Sequence, residues 1–314
     1  MTRQFVSVVI ETINARSGRM TGALADVLTG TLKSLDRQTY PQELFECIVV
    51  LDQRVPTTEA DEVCRRYPSI RFVSSLASNY LAAKNAGAAA ARGEVVAMVD
   101  SDCESSPEWL ESLVGTFEGN VAAVAGRSYY QGDSWAARTF SIPDFAYILA
   151  EKNGTASGFN ISNVAFRREV IVSHPFDARI ARDGGCYLLF HQLQEKGGRV
   201  LYQPRAFVVH GLDFKGLGFV GKHFNRGYAG VAVYQLDDHD VLRGTRVLRR
   251  FGAIGLFAIT GRRIMIDCLR MLRHRRQIGI PFLALPYFGL VAVTTRCIEL
   301  VGGLAAITAS RSSQ

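Results

Sequence analysis

No CxxC pair, zinc-spaced Cys/His set, GxSxG, HExxH or Walker-type phosphate loop occurs in the 314 residues. Zinc enzymes, nucleophile-elbow hydrolases and P-loop enzymes are therefore without support. The six cysteines (Cys47, Cys64, Cys103, Cys186, Cys268, Cys297) have no framework spacing. Several sit in apolar runs where a reduced thiol simply packs, so a reducing compartment is expected. A signal-peptide core is missing too: in MTRQFVSVVIETIN the apolar stretch ahead of Glu11 is only five residues long. The catalytic part is expected to stay in the cytoplasm.

Acid is scarce in one region. Residues 212–314 hold 15 basic and 6 acidic side chains, against 21 and 23 in the rest. An anionic membrane surface or a phosphorylated acceptor suits such a surplus. Nucleic acid is not expected, because exposed interleaved aromatics and a recognised module are both missing. Residues 278–295, IGIPFLALPYFGLVAVTT, carry no charge, near the lower limit of about 17 residues for a spanning helix. Two prolines interrupt the run, and arginines crowd the apolar blocks before it. That pattern predicts membrane association; a helical subdomain with solvated basic faces is the other reading.

Residues 1–126 alternate β-branched runs with amphipathic stretches, the pattern of a parallel α/β sheet. VSVVI (6–10), CIVVL (47–51), IRFVS (70–74), VVAMV (95–99) and VAAVA (121–125) read as strands. Leu24, Leu28, Leu32 and Leu35 share one helical face, and Pro107 opens a helix over 107–117. Residues 127–158, with Gly132, Pro143 and Gly154, are less periodic and read as a loop on the acceptor side. Order returns with SNVAFRREV as strand and helix, a helix over 186–196, and a strand pair, VLYQ and AFVVH, interrupted by Pro204. The division is then 1–211 (1–126 nucleotide-binding half, 127–211 acceptor half) and a helical extension, 212–314.

Asp100-Ser101-Asp102 follows the strand VVAMV directly, so both carboxylates leave the sheet at the edge where open α/β sheets bind ligands. Hard oxygen ligands there suit Mg²⁺ or Mn²⁺ together with a substrate diphosphate. A lone Asp-x-Asp is common in solvated turns, and its neighbours decide the matter. VSVVIETIN, LKSLDRQTYPQELFECIVVLDQ, NYLAAKNAGAAAARGEVVAMVDSDC, SNVAFRREV and RVLYQPRAFVVH occur in the order and spacing that resemble family 2 glycosyltransferases, over residues 5–210.

The resemblance implies a GT-A fold, a Rossmann-like, mostly parallel sheet flanked by helices. It implies an inverting transfer of a sugar from a nucleotide diphosphate to a hydroxyl, and the membrane-leaning tail adds the expectation of a lipid-linked or polysaccharide acceptor at the cytoplasmic face of the inner membrane. By the same resemblance Glu11 and Asp52 surround the nucleoside, and Lys84 and Asn85 lie near the base and phosphates. Asp102 binds the metal, while Asp100 contacts the ribose or a metal-bound water. His210 matches a position that supplies a metal ligand or diphosphate contact in some relatives, although a lone strand-end histidine is more often structural. Arg226, in HFNRGYAG, matches a basic position facing the diphosphate, or is an exposed helix residue.

The chain departs from the family pattern at Glu11, where relatives often carry proline, and at Leu51-Asp52, where they often carry paired acids. The larger departure is the acceptor-side Glu-Asp pair, replaced here by RIARDGGCYLLFHQ. Asp183 stands in as general base or caps the following helix; Glu151 and Asp177 are further candidates. Gly216, Gly218 and Gly221 form a GxGxxG, but not at a strand exit, so a dinucleotide site is not expected. Two rivals are a non-catalytic, nucleotide-sugar-binding or membrane scaffold relative, and a nucleotidyltransferase, whose Gly-rich basic loop ETINARSGR only partly imitates.

Overall fold

The structure, a computed structural model, describes residues 4–13, 23–76, 79–130, 135–145, 154–180, 182–210 and 218–312. Gly132, Glu151, Gly216 and the ARSGR stretch lie outside them. Strand β1 (Val6–Glu11) is buried at every position, which follows from its β-branched run having a helix layer on each face. Strands β2 (Phe45–Asp52), β3 (Arg71–Ser75) and β4 (Val95–Val99) join it in the parallel order β3-β2-β1-β4. Helices α1 (Leu24–Asp36), α2 (Thr57–Arg66) and α3 (Tyr80–Ala90) make the crossovers. The expected leucine stripe of α1 is buried at all four positions.

After β4 the sheet becomes mixed. The elements are β5 (Cys103–Ser105), α4 (Trp109–Val114), β6 (Val121–Tyr130), α5 (Trp135–Thr139), α6 (Ser141–Phe145), β7 (Asn163–Arg167), α7 (Arg168–Ser173), α8 (Gly185–Glu195) and β8 (Arg199–His210). Antiparallel β7 joins β4 to β6, β8 runs parallel to β6, and β5 closes the edge, giving β3-β2-β1-β4-β7-β6-β8-β5. This is the mixed, helix-flanked sheet expected of a GT-A fold.

Four local expectations change. The helix after Pro107 begins only at Trp109. The segment read as a loop holds the end of β6 and two short helices. VLYQ and AFVVH form one strand, whose register on β6 jumps from Gly126↔Gln203 to Arg127↔Phe207. Proline has no N–H for the ladder, so a bulge takes up Pro204–Ala206; Asn163 Nδ2 fixes it by donating to Arg127 O and Ala206 O at 2.9 and 3.1 Å. The three-residue β5 is too short to show periodicity and was not expected.

The C-terminal helices are α9 (Gly218–Gln235), α10 (Arg243–Ile278), bent at Gly252, and α11 (Leu285–Ser312). Helix α11 crosses α9 with its backbone nearly touching: a Cβ on Gly227 would overlap the Glu299 carbonyl oxygen, whereas one on Gly230 meets nothing. Gly227→Ala should therefore destabilise the chain by about 1–3 kcal/mol through overpacking. Gly230→Ala, on the same helix, should stabilise it by about 1 kcal/mol through helix propensity. Thermal melts of both check the crossing, and shifts of the same sign would contradict it.

Candidate active site

Three neighbouring parallel strands end at one edge, and each ends on an acid: β1 at Glu11, β2 at Asp52, and β4 immediately before Asp100. All three carboxylates are buried. Asp52 accepts from the Arg54 backbone N at 3.0 Å and from Arg54 Nε at 2.8 Å. Asp100 accepts from the Tyr80 hydroxyl at 2.6 Å and pairs with Lys84 Nζ at 3.0 Å. Burial and the Asp100 charge push the Tyr80 phenol well above its usual range, so it remains a donor.

Two residues expected near the base and phosphates are held by partners within the protein. Lys84 is fully buried and donates to Val99 O at 2.7 Å. Gly87, one turn further along α3, lets the helix pack so close that a Cβ there would overlap Val9. That seats Lys84 under the end of β4, where it acts as the counter-ion of Asp100. The Asn85 amide is engaged with the Phe176 backbone, donating to its O at 2.8 Å and accepting from its N at 3.0 Å. Asn85 thus ties α3 to the segment after α7.

Asp102 and His210 come together because β5 pairs antiparallel with β8, setting Cys103 opposite His210. His210 Nδ1 lies 3.7 Å from Asp102 Oδ1, while Nε2 meets Ser162 Oγ at 2.9 Å and Cys103 Sγ at 3.2 Å. Phe145 stacks on the imidazole with centroids 5.4 Å apart. Burial alone would raise the Asp102 carboxyl, but His210 and Arg182 outweigh it and hold it below the usual range. Asp102, Cys103 and His210 each offer a ligand atom, all within 4.8 Å of one another. Carboxylate and imidazole suit Mg²⁺ or Mn²⁺ better than a thiol does, and burial with the Asp102 and Asp100 charges pushes Cys103 well above its usual range. The residues present fit a hard divalent ion held by Asp102 and His210.

On the other side of the edge lies Asp183, one residue before Gly184, which is left-handed (φ 94) and forms the N-cap of α8 without a side-chain cap bond. The N-cap position is thus Gly184 and not Asp183. Its carboxylate is 3.7 Å from Arg226 Nε. Arg226, expected to face the diphosphate or to be an exposed helix residue, is not exposed: its guanidinium pairs with Asp144 and leans on Asp183. The cause is Asp144, a buried acid that draws in the cations of α9, with Lys222 Nζ at 2.7 Å as well as the Tyr130 hydroxyl. Burial would raise Asp144, but Arg226, Lys222 and His223 hold it well below the carboxylate range.

Sequence reasoning missed Asp144, Lys222 and Arg182. Arg182 lies over the Tyr80 ring, 4.7 Å from its centroid, and its charge couples to Tyr80, Asp100, Asp183 and Glu11. Its position beside the candidate base was the one available signal. The alternative base Asp177 is held by Arg179 at 2.7 Å on the surface.

A family model described as Glycosyl transferase family 2 matches residues 7–173. A glucosyl-dolichyl phosphate glucuronosyltransferase of Haloferax volcanii is 29% identical over 226 residues, 63% of this chain and 70% of the relative. The glycosyltransferase AglE of the same organism is 27% identical over 130 residues, 40% of this chain and 39% of the relative. A mannosyltransferase from Pyrobaculum calidifontis, solved with GDP-Man and Mn²⁺, shares the fold with a TM-score of 0.64 at 15% identity, covering 98% of this chain and 88% of that one. GalNAc-T7, solved with UDP, GalNAc and Mn²⁺, aligns with a TM-score of 0.52 at 14% identity, over 73% and 48% of the two chains.

Proposed function

The chain belongs to glycosyl transferase family 2 and is a glycosyltransferase using a nucleotide-sugar donor; from that premise we propose an inverting, metal-assisted transfer to a hydroxyl of a lipid-linked or polysaccharide acceptor at the cytoplasmic membrane face. Residues 1–211 form the catalytic domain in this reading, with the donor half at 1–126 and the acceptor half at 127–211, and 212–314 is the membrane-associated extension. The observation carrying it is the convergence of Asp102 and His210 just past the exit of β4 at Asp100, and it is supported by the pairing of Asp183 with Arg226. A relative named for glucosyl-dolichyl phosphate favours a lipid-linked saccharide over a free polysaccharide. No observation favours the scaffold or nucleotidyltransferase readings over this one.

Glu11 and Asp52 bind the nucleoside, and Asp100, paired with Lys84, contacts the ribose or a metal-bound water. Asp102 and His210 hold Mg²⁺ or Mn²⁺. When bound, the ion supplies Lewis-acid stabilisation of the departing nucleoside diphosphate. Asp183 takes the proton of the acceptor hydroxyl as that oxygen bonds the anomeric carbon and the bond from that carbon to the diphosphate oxygen breaks. Arg226 orients the base. A panel of nucleotide sugars titrated by calorimetry, with and without Mn²⁺ or Mg²⁺, tests the donor half. Binding of one donor should strengthen with the ion, and Asp102→Ala should remove that dependence. Ion-independent binding unchanged by Asp102→Ala would sink the metal assignment.

A further inference from the structure

Helices α10 and α11 are built inside out. Their acids and the central Arg296 point inward: Arg296 donates to Asp267 at 2.8 Å and to Glu299 at 2.8 and 2.9 Å, and Glu299 also pairs with Arg263 at 2.8 Å and His223 at 3.3 Å. Their apolar side chains point outward at helical spacing. On α10 these are Ile254, Phe257, Met265, Leu269 and Leu272; around α11 they are Leu283, Tyr287, Leu290, Val293 and Val301. Ile254 is 77% exposed and Leu283 is 91% exposed. Water gives no reason to turn so many large side chains outward in two adjacent helices, and such a patch marks an interaction surface.

The charge around the patch has one sign. Between Val241 and Ser312 the two acids of the sequence are Asp267 and Glu299, both buried. Arg250, Arg262, Arg273 and Arg276 are exposed beside the stripe. Apolar side chains bordered by arginines with no accessible carboxylate match an anionic bilayer surface, with hydrocarbon meeting the stripe and phosphates meeting the guanidinium groups.

Phe282–Ser310 is long and apolar enough to cross a bilayer, yet its contacts forbid crossing. Arg296, in the middle of α11, donates to Pro143 O at 2.9 Å, beside Asp144 and the acceptor-side cluster. Gly302 and Gly303 bring the next turn against the α9 backbone. A spanning α11 would put Arg296 and Glu299 at mid-bilayer and draw α6 and α9 into hydrocarbon with their charges.

We propose that α10 and α11 lie in the membrane plane as a docking face for an anionic bilayer, holding Asp183 a few side chains from the lipid surface through Arg226, Asp144 and Arg296. This deepens the membrane-acceptor reading above and rests on it. The test uses the full chain with vesicles of phosphatidylcholine alone or mixed with phosphatidylglycerol, and no donor or acceptor. The chain should sediment with the mixed vesicles and be released by alkaline carbonate. Leu283→Asp with Leu290→Asp, both on exposed positions, should cut partitioning by about a hundredfold, with an unchanged thermal melt. Tryptophans placed singly at Leu283, Leu290 and Val301 should show one shallow depth by brominated-lipid quenching. Failure to bind mixed vesicles, resistance to carbonate, or depth graded along α11 overturns the proposal. Loss of vesicle binding with ion-dependent donor binding intact counts against this face alone; loss of donor binding by the unaltered chain counts against the proposed function.

Discussion

Asp183→Asn should lower turnover by about 10²- to 10⁴-fold, the usual contribution of a positioned general base, while ion-dependent donor binding persists. Asparagine keeps the shape but cannot take the acceptor proton. The backbone there is fixed from both sides: a Cβ on Gly184 would overlap Val233 of α9, and one on Gly185 would overlap Leu81 of α3. The carboxylate is thus held where α3, α8 and α9 meet, and Arg226 at 3.7 Å supplies orientation. The measurement is kcat and KM beside donor Kd for the same protein. A loss confined to kcat fits an interaction made only in the transition state. Normal turnover would remove Asp183 from the mechanism and turn attention to Glu151, which lies outside the described residues.

Legibility followed the range of the physical signal. The strand-end carboxylates could be read because strand burial and the polar residue that ends it are adjacent in sequence: VVAMV is followed at once by Asp100. The same locality gave β1 to β4, the α1 stripe and the α3 segment. It failed where a side chain's role depends on distant partners. The partners of Lys84 and Asn85, Asp100 and Phe176, are fixed only once α3 packs on the sheet. Asp144 sits in SIPDF with nothing local to mark it; its cations come from α9, 78 and 82 residues later. His210 needed β5, three residues long, to reach Asp102. In α11 composition suggested membrane, but only the packing revealed that the charged side faces in and the apolar side faces out.

The same cluster carries the second large effect: Asp144→Ala should destabilise the chain by about 3 kcal/mol, the lower end for removing one partner of a buried ion pair. The lower end applies because Lys222 and Arg226 keep about a quarter of their side-chain surface in water, 25% and 22%. With Asp144 gone, Lys222 is left as a half-buried, uncompensated charge beside the Tyr130 hydroxyl, and Arg226 closes on Asp183, masking the base, so turnover should also fall. Asp144→Asn with Lys222→Met separates these effects. Removing one acid and one cation together should recover most of the stability, while Arg226, no longer held by a carboxylate, still leaves turnover low. Recovery of both would make Asp144 purely structural. The pH dependence gives an independent check with a fixed sign. A carboxyl held below its usual value contributes stability above the unfolded-state pKa of about 4 and loses it as pH falls toward the native value. Asp144 is such a group, so the acid limb of the unaltered chain's stability curve should be steeper than that of the Asp144→Asn, Lys222→Met chain, and the two curves, close near neutrality, should separate as pH falls. Parallel acid limbs would mean that Asp144 is not ionised in the folded chain, and the hold on Arg226 would have to come from another group.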